Sequence, residues 1–123
     1  MSHSDDPSLW LRYAEDDLTT AQANVPMQVR GYHPQQAAEK AIKAMLIHHG
    51  IDFPWVHDLR HLATLLPPSA YGPSVDNATE LTAYASAARY PRHNATYKPA
   101  EVADAVELAR AVVAWAANII EPA

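Results

Sequence analysis

The stretch YHPQQAAEKAIKAMLIHHG, residues 32–50, constrains the fold more than any other part of the chain. It is rich in Ala, Glu, Lys, Met, Leu and Gln, whose side chains lose little rotamer freedom in a helix. Pro34 stands where a proline in the first helical turn is tolerated. Gly50 follows as the residue that most easily takes the left-handed conformation after a helix. We therefore predict one long helix over this stretch, with Pro34 in its first turn.

This predicted helix has one apolar stripe, because its apolar residues recur at spacings of three and four. Several of them are alanines, which let a neighbouring helix approach closely. Glu39 and Lys43 are one turn apart on another face, in the order that favours an ion pair. We expect the helix to be central in a bundle and to bury its stripe, namely Ala37, Ala38, Ala41, Ile42, Met45 and Leu46.

Prolines and capping residues mark the other helices. Asp6 and Pro7 form an N-cap and first-turn pair, and Asp58 is placed to cap a short helix. Pro26 and Gly31 are expected in the connection between the first two helices, because the residue before a proline is pushed out of the helical region. The predicted helices cover residues 7–24, 32–50, 59–66, 74–89 and 99–120.

Composition supports an all-α fold. The chain has only three glycines, 49% hydrophobic residues and no alternating run of Val, Ile and aromatic residues. Helices joined by short or proline-broken connections indicate an antiparallel bundle. Leu81 is expected to be buried in it, and the last helix has an apolar face wide enough for burial on more than one side. Four apolar residues after Gly50 are expected to cover one end of the bundle, namely Ile51, Phe53, Trp55 and Val56.

Length and charge limit the function. At 123 residues the chain is expected to form a single domain over residues 1–123, with residues 1–6 frayed. No apolar run approaches the ~18 residues of a membrane span, and the polar start is unlike a signal peptide, so we expect a soluble cytoplasmic protein. A net charge of −5 argues against a broad phosphate-binding surface and against DNA as a partner.

Seven histidines suggest a metal site, but their spacing does not support one. His48 and His49 are adjacent, so on a helix they point about 100° apart. His57 and His61 are four residues apart without the intervening Glu of the HExxH motif, and His57 is expected to precede the short helix. We therefore predict no metal site, no cofactor, and histidines at caps or on the surface.

The basic segment, residues 89–98, is unusual in an acidic protein. Arginine offers a fixed fork to phosphate oxygens, and histidine exchanges a proton near neutral pH, so the segment is a candidate site for phosphate or an RNA backbone. Alternatively it is a polar loop in which Arg89 pairs with a carboxylate and Tyr90 closes the bundle end. The candidate binding residues are Arg89, Arg92, His93, Asn94, Tyr97 and Lys98.

The segments YHPQQAAEKAIKAMLIHHGIDFP, HDLRHLATLLP and LTAYASAARYP, in this order, resemble the HEPN domain family (higher eukaryotes and prokaryotes nucleotide-binding) from Trp10 to about Ile120. The resemblance implies an up-and-down bundle of four main helices plus a short one, often a homodimer. It also implies a partner, a minimal nucleotidyltransferase, in a toxin–antitoxin pair. For active members it implies a metal-independent endoribonuclease that uses Arg, four to six residues, then His.

The chain departs from that ribonuclease motif. Only three residues separate Arg89 from His93, and Pro91 interrupts the helix that would carry the motif. The ARYP sequence is similar to a branch of the family. We predict that the protein is the helical partner of a minimal nucleotidyltransferase and binds nucleotide or RNA phosphate through the basic segment. Two alternatives stay open: an endoribonuclease toxin with Arg89 and His93 as catalytic residues, and a non-catalytic dimeric interaction module.

Overall fold

Five helices form the described part of the chain, which in the computed structural model comprises residues 6–23, 27–81 and 99–122. All regular secondary structure in these residues is helical. The helices are α1 (Pro7–Ala21), α2 (Met27–His48), α3 (Leu59–Thr64), α4 (Pro73–Ala78) and α5 (Pro99–Ile120).

The predicted caps are confirmed. The side chain of Asp6 accepts a hydrogen bond from the Ser8 N–H at 2.9 Å, and Pro7 opens α1. Asp58 caps α3 in the same way. At the end of α2, Gly50 has a φ of 71°, and the N–H of Ile51 donates to the carbonyl of Leu46 at 2.8 Å. This is the arrangement in which a left-handed glycine closes a helix, so the predicted stop is correct.

The predicted start of the central helix is wrong. Helix α2 begins at Met27, so Gly31 and Pro34 lie inside it rather than in a connection and a first turn. The ring of Pro34 is fully buried. Tertiary packing of this kind overrides the intrinsic cost of Gly and Pro in a helix. A prediction from local sequence includes only that intrinsic cost.

The prediction of one continuous helix over residues 74–89 is also wrong. Helix α4 ends at Ala78, and Thr79 and Glu80 form a turn. The hydroxyl of Thr79 donates to the carbonyl of Asp76 at 2.7 Å, and the Thr79 N–H bonds to the same carbonyl. A side-chain bond of this kind competes with the helical ladder. The remainder of the predicted helix, beyond Leu81, lies outside the described residues.

Helix α2 is central and packs against all four other helices. The Arg30 guanidinium bonds to the carbonyl of Ala21, while Lys43, near the other end of α2, approaches Trp10. Helix α1 therefore runs antiparallel to α2, and the predicted antiparallel all-α bundle is confirmed. Every residue of the predicted stripe is fully buried, as is nearly all of Leu81. The largest fully buried apolar residues are Leu11, Ile42, Met45, Leu46, Leu59, Leu62, Leu81, Val75, Val102 and Val112.

The segment after Gly50 runs back along α2. Phe53 is buried with its ring edge-on to Trp10, as expected of a residue covering the bundle. Trp55 does not fit that expectation, since 62% of it is exposed. The Val56 N–H donates to the carbonyl of Pro54 at 2.9 Å, which centres a tight three-residue turn on Trp55.

Candidate functional site

The predicted binding residues, Arg89, Arg92, His93, Asn94, Tyr97 and Lys98, lie outside the described residues. The structure locates the positions on either side of them. Leu81 is buried, and α5 begins at Pro99. An open cleft of about 220 Å³ lies between Leu81 and the first half of α5. Among the described residues, its lining includes Glu80, Leu81, Glu101, Asp104, Ala105 and Leu108. Three of these described residues carry carboxylates, namely Glu80, Glu101 and Asp104.

A buried charged cluster, the Glu39 cluster, lies between α2 and the segment before α3. It consists of Glu39, Lys43, Gln35 and His57. The carboxylate of Glu39 accepts from Lys43 Nζ at 2.8 Å, from Gln35 Nε2 at 3.2 Å and from His57 Nδ1 at 3.0 Å. Glu39 and Lys43 are 3% and 2% exposed. The predicted ion pair is confirmed, and its burial makes it part of the core.

Aromatic rings surround the ammonium of Lys43. Its Nζ lies 5.7 Å from the ring centroid of Trp10, 5.4 Å from that of Phe53 and 5.6 Å from that of Trp55. Cations at this range are attracted to the electron-rich faces of aromatic rings. The rings and the Glu39 carboxylate together replace the water that Lys43 loses on burial.

A second charged cluster joins α1 to α2. The buried carboxylate of Asp17 accepts from Lys40 Nζ at 2.6 Å and bonds to His33 Nδ1 at 2.8 Å. His33 is therefore a partner of a core carboxylate, which corrects the expectation that it is a surface histidine. His48, His49 and His61 are exposed, as expected.

In the Glu39 cluster the geometry fixes the tautomer of His57. An ionised carboxylate only accepts hydrogen bonds, so the proton of the neutral imidazole is on Nδ1. The other nitrogen, Nε2, has a lone pair and no hydrogen-bond partner among the described residues, and 59% of the side chain is exposed. A carboxylate-oriented imidazole of this kind is suited to accept a hydrogen bond at Nε2.

Sequence reasoning did not identify the Glu39 cluster as a unit. Gln35, Glu39 and Lys43 recur every four residues, which places them in one row on the helix. The pattern predicts a separate polar face for this row, although buried alanines lie on both sides of it. His57 lies on a segment that is distant from Glu39 in the sequence and contacts α2 only in the folded protein.

In residues 6–23, 27–81 and 99–122 there is no group of three or more His, Cys, Asp or Glu side chains placed to hold a metal ion. None of the helices in the same residues is long and apolar enough to cross a membrane.

Comparison with known families decides what kind of bundle this is. The model of the HEPN domain matches residues 7–120, which is nearly the whole chain. The chain belongs to the HEPN domain family. This HEPN domain is also similar to the crystal structure of TT1696 from Thermus thermophilus, with 26% sequence identity and a TM-score of 0.79. The match covers 92% of this chain and 97% of that one. No curated protein matches the sequence.

The cations in the described part of this HEPN domain are almost all engaged. The chain has nine lysines and arginines, and three of them belong to the basic segment. Of the other six, the Arg60 side chain has neither an ion pair nor a hydrogen bond to a described residue. The remaining five bind a carboxylate or, in one case, a backbone carbonyl. These five are Arg12, Arg30, Lys40, Lys43 and Arg110.

Proposed function

We propose that this HEPN domain binds nucleotide or RNA phosphate through its basic segment and is the helical partner of a minimal nucleotidyltransferase. The observation that carries the proposal is the distribution of cations. Five of the six lysines and arginines in the described residues already have partners, and two of the five have buried carboxylates as partners. Three of the chain's nine cations belong instead to ten consecutive residues, 89–98.

Electrostatics favour this segment over the rest of the surface. The chain carries a net charge of −5, so phosphate is repelled except where cations are concentrated. A phosphate bound by Lys40 or Lys43 would have to displace Asp17 or Glu39, leaving a buried carboxylate without its ion-pair partner. Arg89 and Arg92 offer bidentate donors to phosphate oxygens, and the residues that follow add further donors, namely His93, Asn94, Tyr97 and Lys98.

Binding of a fluorescent single-stranded RNA, followed by anisotropy, tests this site. We expect Arg89→Ala and Arg92→Ala to weaken binding, because each removes a phosphate partner. Arg60→Ala is the matched control, since the Arg60 side chain has neither an ion pair nor a hydrogen bond to a described residue. Equal losses in all three variants would mean that the RNA binds by overall charge and not through the basic segment.

Incubation of labelled total RNA with the protein separates binding from cleavage. The three-residue spacing between Arg89 and His93 favours binding without cleavage. Cleavage that an Arg89→Ala, His93→Ala double variant abolishes, with no metal added, would establish the endoribonuclease alternative instead. Co-purification with a minimal nucleotidyltransferase encoded beside this gene tests the partnership.

We propose that the protein forms a homodimer through α5. On this helix Leu108 and Trp115 are half-buried and Ile119 is 38% exposed, which leaves apolar surface at the edge of the core. Apolar surface of this kind commonly marks a contact with another chain. Sedimentation equilibrium at high micromolar concentration should show a dimer. A monomer at that concentration would exclude the homodimer.

A further inference from the structure

We propose that Trp55 and His57 form a nucleobase-binding subsite on the surface of the bundle. This inference rests on the nucleotide or RNA binding proposed above, and it identifies a position for the base. The basic segment would bind phosphate, whereas this subsite would take the planar ring. Its parts are a displayed aromatic side chain and a hydrogen-bond acceptor of fixed orientation.

Trp55 supplies the stacking surface. It is the most exposed of the large hydrophobic residues in the described part of the chain, at 62%. The hydrogen bond from the Val56 N–H to the Pro54 carbonyl fixes the backbone on both sides of it. On the protein side, Lys43 Nζ lies 5.6 Å from the indole centroid. Exposed aromatic rings held in this manner stack on nucleobases, because every base has a π-face.

His57 supplies the acceptor. Its Nδ1 is bonded to the Glu39 carboxylate at 3.0 Å, and its backbone carbonyl accepts from Gln35 Nε2 at 2.9 Å. Both the ring and the main chain of this residue are therefore held by α2. Its Nε2 lone pair is the acceptor, and the donors that fit it are the ring N–H and exocyclic amino groups at the edge of a base.

The two side chains share one support. Trp55 contacts Lys43, His57 contacts Glu39, and Glu39 and Lys43 are bonded one turn apart in the core. Both side chains are thus held against α2 by their contacts to Lys43 and Glu39. A site that is already ordered loses little entropy when a ligand binds. A nucleobase has the two features that these side chains recognise, a planar ring and N–H donors at its edge.

Adenosine is the probe, because it has a base and no phosphate. Titration into protein labelled with ¹⁵N at tryptophan should shift the indole N–H resonance of Trp55, while the resonances of Trp10 and Trp115 serve as internal references. Trp55→Ala should weaken adenosine binding by about 5- to 150-fold, the range for loss of one base stack, and Trp55→Phe should retain most of it. Arg110→Ala, on the exposed surface of α5, should leave adenosine binding unchanged.

The acceptor is tested with purine riboside, which lacks the exocyclic amino group. The parent protein should prefer adenosine, and His57→Leu should abolish this preference, whereas His61→Leu should keep it. The subsite is refuted if adenosine leaves the Trp55 resonance unmoved at millimolar concentration, or if Trp55→Ala binds adenosine as the parent does. An unchanged preference in His57→Leu would refute the role of His57. None of these variants changes the basic segment, so failure here is distinct from failure of the phosphate site.

Discussion

Lys43 Nζ donates to Glu39 Oε2 at 2.8 Å, and both residues are almost completely buried in the centre of the bundle. Removing two charges from water is costly, and their attraction offsets this cost only where the remaining donors and acceptors are also satisfied. Gln35 and His57 complete the hydrogen bonds of the carboxylate, and three aromatic rings surround the ammonium. The pair is therefore costly to bury, and loss of one partner should destabilise the core strongly.

We predict that Lys43→Met lowers the free energy of unfolding by about 3–5 kcal/mol, because it leaves the Glu39 carboxylate buried without its cation. Urea unfolding followed by circular dichroism measures this change. The double variant Glu39→Leu, Lys43→Met should lose less than the single one, since no lone charge remains.

Arg110→Met is the matched control for this prediction. Arg110 pairs with Glu107 on the surface, where an ion pair contributes at most about 1 kcal/mol. If Lys43→Met were no more destabilising than Arg110→Met, the Glu39 cluster would not be buried in solution.

A second prediction concerns acid pH. Hydrogen bonds from Arg12, and then from Ser8, lower the pKa of Glu121 below its ordinary value of 4.5, and Arg12 links the start of α1 to the end of α5. A lowered folded-state pKa contributes stability that is present above pH 4.5 and is lost as the pH falls through the folded value. Arg12→Ala should move the carbon-13 carboxyl titration of Glu121 back towards 4.5, whereas Arg110→Ala should not.

Gly50 gives a third prediction. Its φ of 71° is unfavourable for other residues, yet a Cβ placed there would have no heavy atom within 4 Å. The cost of Gly50→Ala is therefore backbone strain alone, about 1–2 kcal/mol of unfolding free energy. Gly50→Asn should cost less, because asparagine tolerates the left-handed region. A loss as large for Asn as for Ala would argue against this account of the helix end.

Much of this fold is predictable from local sequence, because its helices have clear caps and a clear stripe. Asp6, Asp58 and Gly50 act where the sequence predicts. The start of α2 is not predictable in this way, because buried Pro34 is stabilised by tertiary packing, which a propensity argument does not include.

The charged clusters and the candidate binding site are likewise only partly predictable from the sequence. The Glu39–Lys43 pair follows from helical spacing, but its burial and its bond to His57 depend on contacts between distant parts of the chain. The predicted exposure of His33 is wrong for the same reason, since its partner Asp17 lies on another helix. The basic segment, residues 89–98, stays a prediction, because it lies outside the described residues.

The salt dependence of RNA binding tests the central claim most directly. Each phosphate that a cation neutralises releases counterions, so the logarithm of the binding constant falls linearly with the logarithm of salt concentration. With few cations available, we predict a shallow slope for the parent protein. Arg89→Ala and Arg92→Ala should each reduce its magnitude by about one, while Arg60→Ala leaves it unchanged. Slopes that are the same in the parent protein and in both basic-segment variants would contradict the assignment of phosphate binding to residues 89–98.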